Sequence, residues 1–174
     1  EDTPASLFGT GRTVYSAEGS SLCIRAMLYL ASLRAAEEKL PRRILAGRNA
    51  HKTLMTAAAL LDIGIDWVYP EPEEGLLSCG ITAEKISEKL NQRAYMAVYV
   101  TTPDYLGHTV PVRGIADACR RKGVPLLADN AHGAYLRFLA EDRHPVSEGA
   151  DLCCDSAHKT LPCLTGAACL PTST

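Results

Sequence analysis

The chain has 174 residues, room for one domain with a sizeable core. Its 47% hydrophobic and 22% charged residues and net charge of −2 make an ordinary globular balance, with nothing to draw it to nucleic acid or to an anionic membrane. No apolar run approaches the roughly 20 residues of a membrane span, and no basic segment followed by an apolar run marks a signal peptide, so a cytoplasmic location is expected.

Apolar residues at helical spacing (Leu22, Ala26, Tyr29, Leu30, Leu33) predict a helix over Leu22–Leu33, closed by Pro41. Arg43–Ala46 reads as a short strand. The alanine- and leucine-rich stretch Ala50–Leu61 reads as a helix that stops near Gly64. Ile65–Tyr69 is a second strand, ended by Pro70 and Pro72. Glu71–Gly80 is an acidic loop in which Glu71, Glu73 and Glu74 form a solvated face. Thr82 is a good N-cap for a helix carrying Ile86 and Leu90. Tyr95–Val100 is strongly β-prone. Val112–Arg121 is helical and ends in basic residues before Gly123. Val124–Ala128 and Ala150–Cys154 are further strands. Alternating strands and helices predict an α/β fold, a three-layer α/β/α arrangement with a mostly parallel sheet, whose ligands bind at the carboxyl ends of the strands.

The seven cysteines are odd in number, form no C-x-x-C pair and sit mostly in apolar stretches. They read as small buried hydrophobes in a reducing compartment, and neither a disulfide framework nor a metal site is expected. The chain begins at Glu1 rather than Met and stops soon after its most informative motif, so it reads as a piece of a longer protein.

Four clusters fall at strand or loop ends. Glu18-Gly19-Ser20-Ser21 precedes a helix, where glycine, hydroxyls and helix N–H groups can hold a phosphate. Arg48-Asn49-Ala50-His51-Lys52 opens another helix, and His51 can stack on a ring or move a proton. Asp129 follows the apolar Leu126-Leu127-Ala128 and requires a cationic or N–H partner. Lys159 follows a strand, where partial desolvation would favour the neutral amine of Schiff-base chemistry. Singly, each has a plainer reading: an N-cap, a surface histidine, a structural ion pair, a solvated lysine. Jointly they supply a phosphate cradle, a stacking imidazole, a carboxylate for a pyridinium nitrogen and an amine for an aldehyde, the groups a pyridoxal 5'-phosphate site requires.

The segments S-A-E-G-S-S (16–21), G-R-N-A-H-K-T (47–53), L-L-A-D-N-A-H-G-A-Y (126–135) and S-A-H-K-T-L-P-C-L-T-G (156–166) resemble the bacterial ornithine/lysine/arginine decarboxylases. The resemblance runs from about Leu7 to Leu170. It implies the fold type I, aspartate-aminotransferase-like architecture, with residues 1–174 as one pyridoxal-phosphate-binding large domain that lacks the family's C-terminal domain. It implies that Lys159 holds the cofactor covalently, Asp129 pairs with the pyridinium nitrogen, His51 stacks on the ring and Ala131 packs on its other face. Ser20, Ser21, Ser156 and His158 would hold the phosphate, Gly19 would belong to the cofactor site beside them, and His132 would lie near the phenolic oxygen or the substrate. Asn130 stands where Glu is common in the family, Tyr135 where His is, Gly166 where Gln is, and Leu22 where a hydroxyl residue is.

The activity implied is decarboxylation of a basic amino acid (lysine, arginine or ornithine) by a homodimer or higher oligomer in amino-acid and polyamine metabolism. An aminotransferase or another amino-acid lyase keeps the same cofactor, and a non-catalytic scaffold keeps only the fold.

Overall fold

The computed structural model describes residues 3–71 and 79–173. Its elements, in chain order, are α1 (Thr3–Phe8), β1 (Arg12–Ser16), α2 (Gly19–Glu37), β2 (Arg43–Gly47), α3 (Lys52–Leu60), β3 (Gly64–Val68), α4 (Ala83–Gln92), β4 (Ala97–Thr101), α5 (Val112–Arg120), β5 (Leu126–Asp129), a 3₁₀ turn (Ala134–Phe138), β6 (Leu152–Cys154), α6 (Ala157–Thr160) and β7 (Ala168–Thr172). Most of the predicted acidic loop, including Pro72, Glu73 and Glu74, lies outside the described residues. Glu71 itself pairs with Lys85 at 2.6 Å.

The strands form one sheet in the order β1-β7-β6-β5-β4-β2-β3. Every pairing from β6 to β3 is parallel, while β7 runs antiparallel to both β6 and β1. The sheet is therefore mostly parallel, as the strand–helix alternation predicts. β4 and β5 are buried along their whole length, which is what a parallel sheet covered on both faces requires of its inner strands. One face packs Ile44, Ala46, Tyr99 and Leu127 against α2 and α3. The other packs Leu45, Val98, Val100 and Leu126 against Ile86 and Leu90 of α4 and Ile115 and Cys119 of α5. Each buried leucine or isoleucine contributes about 1.5–3 kcal/mol relative to exposure. Two helices on each face complete the α/β/α layering.

The structure redraws the helix predicted over Leu22–Leu33. α2 is longer, and its buried face is Cys23, Ile24, Met27, Leu28, Ala31, Ser32 and Ala35. The stripe that gives the prediction its periodicity faces outward: Leu22, Tyr29, Leu30 and Leu33 are all exposed. α2 is apolar around most of its circumference, so periodicity identifies a helix without identifying its inner face. Strands β1 and β7 go unpredicted. β1 is short and polar, β7 holds Pro171, and their register pairs residues as far apart as Arg12 and Thr172, which no local pattern reports. Six of the cysteines are buried and free, and Cys163 is exposed and free.

The parallel strands aim their carboxyl ends the same way. Thr101 ends β4, Asp129 ends β5, His51 follows β2, and Asp155 to Lys159 follow β6. The four sequence clusters are thereby brought to one edge of the sheet.

Candidate active site

Asp129 is the last residue of β5 and is 2% exposed. Tyr99 of β4 donates its phenolic O–H to Asp129 Oδ2 at 2.9 Å, and the Ala131 N–H donates to Oδ1 at 3.2 Å. Burial pushes the Asp129 carboxyl up, opposed by the Tyr99 hydrogen bond, the Ala131 N–H and the positive charge of Lys159. The Tyr99 phenol is raised well above its usual range, first by burial and then by the facing carboxylate, so it keeps its proton and remains a donor. The parallel register sets Thr101 against Asp129 and Tyr99 two residues earlier, which puts the phenol on the same face of the sheet as the carboxylate.

Ser20, Ile24, His51, Thr101, Tyr105, Asp129, Ala131, His132 and Lys159 line one narrow cleft. Six of the predicted site residues therefore meet: Ser20, His51, Asp129, Ala131, His132 and Lys159. His51 caps α3, its Nδ1 accepting the Thr53 N–H at 3.3 Å. The Thr53 hydroxyl in turn contacts the Ser21 hydroxyl at 3.2 Å, which ties the start of α3 to the start of α2. His132 Nε2 lies 3.2 Å from Lys159 Nζ, and the Tyr105 ring lies 4.8 Å from the His132 ring, centroid to centroid. Burial, followed by the charge of Lys159, lowers the His132 pKa, which keeps its imidazole neutral and able to accept a hydrogen from the amine.

Gly19, Ser21, Ser156 and His158 stand outside the cleft lining. Gly19 (φ +71°) begins α2, and its N–H donates to the Gly166 carbonyl at 2.8 Å. Gly166 (φ +92°) has no room for a Cβ, which would sit 2.7 Å from the Ala17 carbonyl oxygen. Glycine at 166 is thus what this loop needs to dock on the start of α2. No side chain caps α2 at Glu18, so the helix N-terminus is open to an anion. His158 turns its Nδ1 to the Ala167 carbonyl at 3.0 Å, and Ser156 is fully buried.

Lys159 departs from expectation. It is exposed rather than partly desolvated, because α6 is a single turn and its side chain leaves the sheet edge toward solvent. The neighbouring His132 Nε2, not burial, is what this chain supplies to its amine. Three residues of the cleft lining, Ile24, Thr101 and Tyr105, are not predicted from the sequence, and neither is Tyr99, which holds Asp129 from behind. Tyr99 lies inside the apolar run Tyr95–Val100 and reads as core, although a buried phenol requires a partner for its O–H, and that was the available signal. Tyr105 follows β4 in a loop that carries no motif.

These residues fit pyridoxal phosphate on three observations. Asp129 is a buried carboxylate with no salt-bridge partner among the described residues, which suits a cationic ring nitrogen. The Thr101 hydroxyl of the cleft and the Ser156 hydroxyl are buried without a hydrogen-bond partner among the described residues. The uncapped N-terminus of α2 lies beside Ser20 and Ser21.

Residues 1–173 match the family model of the Orn/Lys/Arg decarboxylase major domain. Arginine decarboxylases of Halalkalibacterium halodurans and Bacillus subtilis are each 31% identical to this chain over 170 residues, covering 95% of it. The chain spans 33% of the length of either relative. Among solved structures, Oryza sativa TDC with PLP and tryptamine superposes with a TM-score of 0.81 at 20% identity, and mouse CSAD with a TM-score of 0.79 at 20% identity. Both likenesses cover 99% of this chain and 40% of the other, and they establish that this chain shares the α/β fold of those two proteins.

The raised Asp129 carboxyl gives a pH signature in the cofactor-free protein. A carboxyl whose pKa is higher folded than unfolded adds stability below the unfolded value of about 3.9, and that stability is lost as pH rises toward the folded pKa. Asp129→Asn does not ionise. Its stability relative to wild type should therefore increase as pH rises from about 4 and level off above the folded pKa, as read by urea unfolding across that range. A pH-independent difference would contradict the assignment. Tyr99→Phe should destabilise the protein by about 1–3 kcal/mol, because it strips a buried carboxylate of a hydrogen bond.

Proposed function

We propose that this chain, which belongs to the Orn/Lys/Arg decarboxylase family, is the cofactor-binding part of an enzyme that uses pyridoxal phosphate to remove the carboxylate of a basic amino acid. Arginine is the first candidate substrate, because that is the activity named for the relatives from Halalkalibacterium halodurans and Bacillus subtilis. The observation that carries the reading is the convergence of a buried, hydrogen-bonded carboxylate and a lysine–histidine pair on one cleft at the carboxyl edge of a parallel sheet.

In this reading Lys159 is the amine that holds the cofactor's aldehyde carbon. Asp129 faces the ring nitrogen, with its carboxylate aimed by the Tyr99 hydroxyl and the Ala131 N–H. His51 and Ala131 cover the two faces of the ring. Ser20, with Gly19 and Ser21 beside it at the open end of α2, takes the phosphate, and the unpartnered Ser156 hydroxyl and His158 complete that cradle. Bound there, pyridoxal phosphate supplies a protonated ring that accepts the electron pair left at the substrate's α-carbon when the carboxylate departs.

The chain's own groups do the rest. Asp129 keeps a proton on the ring nitrogen by placing negative charge where water cannot screen it. Tyr99 prevents that carboxylate from rotating away. His132 Nε2, neutral and 3.2 Å from Lys159 Nζ, accepts a hydrogen bond from the amine and holds it at the cleft. Tyr105 packs against the His132 ring and holds it toward Lys159.

A homodimer or larger assembly belongs to the same proposal. The exposed apolar side chains of α2 (Leu22, Tyr29, Leu30, Leu33) form a surface that a second copy would cover.

Product analysis of the full-length enzyme tests the reaction. Incubation with arginine, lysine and ornithine should release carbon dioxide together with agmatine or the matching diamine, and Asp129→Ala should lower the rate at least about 100-fold. A keto acid as the product would overturn decarboxylation. In sedimentation the same protein should run as a dimer or larger, and a strict monomer would count against the shared interface.

A further inference from the structure

Three fully buried polar residues lie behind the cleft and take no part in the proposed chemistry: Asn130, His144 and Asp155. Asn130 Nδ2 donates to Asp155 Oδ1 at 2.6 Å. His144 Nε2 lies 2.9 Å from Asp155 Oδ2, while its Nδ1 accepts the Val146 N–H at 3.3 Å. With Nδ1 an acceptor, the proton of the neutral imidazole sits on Nε2 and is donated to Asp155. The carboxylate of Asp155 is thus held between two donors.

The backbone makes this pair of donors a clamp. Asp155 exchanges both its N–H and its carbonyl with Cys169 of β7, each at 2.9 Å, so the carboxylate projects from a fixed point of the sheet. The Asn130 N–H donates to the Cys154 carbonyl at 2.9 Å. The Asn130 amide lies beneath the turn that follows β5: a Cβ at Gly133 would meet its Oδ1 at 2.1 Å. One side of the clamp therefore carries Asp129, Ala131 and His132. The other carries Ser156 and Lys159, one and four residues beyond Asp155.

Cys153 Sγ lies 3.9 Å from both His144 Nε2 and Asp155 Oδ1, so a thiol, an imidazole and a carboxylate stand within 4.8 Å of one another. That set resembles the donors of a cation site, but the imidazole and carboxylate are already engaged by protein hydrogen bonds. Their neighbours point to a different role. Apolar side chains of similar volume would fill this space without the desolvation that a buried carboxylate suffers, and what directed hydrogen bonds to Asp155 add is a single geometry, although Asn130 Oδ1 has no partner among the described residues.

We propose that Asn130, Asp155 and His144 are positioning residues, locking the Ala131–His132 turn at the end of β5 to the Ser156–Lys159 segment after β6 so that Asp129, His132 and Lys159 face one cleft. The inference rests on the cofactor reading of that cleft and extends it to residues that touch neither cofactor nor substrate.

The hydrogen bond between positions 130 and 155 can be reversed, which separates positioning from simple filling of the core. Asn130→Asp sets a carboxylate against a carboxylate across the 2.6 Å contact. Asp155→Asn sets an amide against an amide, which a flip of Asn130 relieves in part. Combining the two restores a donor and an acceptor in opposite order: the new amide at 155 donates to the new carboxylate at 130 and still accepts from His144. The readouts are the visible absorption band and the apparent Kd for pyridoxal phosphate of the full-length enzyme, taken well below the unfolding midpoint of each cofactor-free variant. Asn130→Asp should weaken cofactor binding at least about tenfold, Asp155→Asn less, and the double variant should return to within about threefold of wild type with its band restored. Single variants that bind as wild type, even with lowered melting temperatures, would overturn the proposal and leave the network a part of the core. A double variant no better than Asn130→Asp would also overturn it. If the wild-type enzyme forms no band with pyridoxal phosphate, the cofactor reading and this inference fall together; a wild-type band that the single variants retain removes the positioning role alone.

Discussion

A carboxylate is held at the end of an inner strand with almost no access to water, and the rest of the site follows from how that is made tolerable. Asp129 could not stay buried on β5 without donors. Tyr99 supplies one from β4, and the Ala131 N–H supplies another from the turn that follows. Those two donors satisfy the carboxylate as a hydrogen-bond acceptor while leaving its charge unpaired, and burial still lifts its pKa. A cationic ligand arriving at this edge of the sheet would relieve what the protein leaves unbalanced. In the proposed reading, the protonated ring of pyridoxal phosphate is that cation, and the strain of the isolated carboxylate becomes affinity and electron-withdrawing power once the ring is bound.

The sheet makes this possible by geometry alone. Parallel strands deliver their carboxyl ends to one edge, so residues far apart in the chain become neighbours there. His51 follows β2, Thr101 ends β4 with Tyr105 beyond it, Asp129 ends β5 with His132 beyond it, and Lys159 follows β6. β7, antiparallel to both of its neighbours, extends the sheet beyond β6, with β1 outside it, and supplies Cys169, the backbone anchor of Asp155. The same loop region brings Gly166 against Gly19 and fixes the start of α2, where Ser20 and Ser21 stand. Elements that contribute no reactive group thereby set where the reactive groups point.

Much of this was legible in the sequence where physics acts locally. Asp129 is conspicuous because a carboxylate at the end of Leu126-Leu127-Ala128 has no ordinary solution to its burial. His51 and Lys159 are marked by strand-to-helix turns, and four modest motifs gain force by belonging to one cofactor. What escaped is non-local or degenerate. The antiparallel β1–β7 pair depends on residues some 160 positions apart, as in Arg12 with Thr172. α2 is apolar on two faces, and only the packing of Cys23, Met27 and Leu28 on the sheet decides which one is inner. The exposure of Lys159 follows from a helix of one turn, too short for any periodic signal. Tyr99 was hidden by success: a β-prone run predicts its burial well, and burial conceals that its hydroxyl serves the carboxylate two positions up the neighbouring register. Asn130, His144 and Asp155 carry no motif at all, and their connection exists only in three dimensions.

The central claim is that one lysine of this chain, Lys159, holds pyridoxal phosphate covalently opposite Asp129. Reduction of the cofactor-treated full-length protein with borohydride, followed by proteolysis and mass spectrometry of its peptides, tests it most directly. The account predicts the reduced phosphopyridoxyl group on the peptide containing Lys159. The label on a different lysine, or a bound cofactor that reduction fixes to no residue, would contradict it.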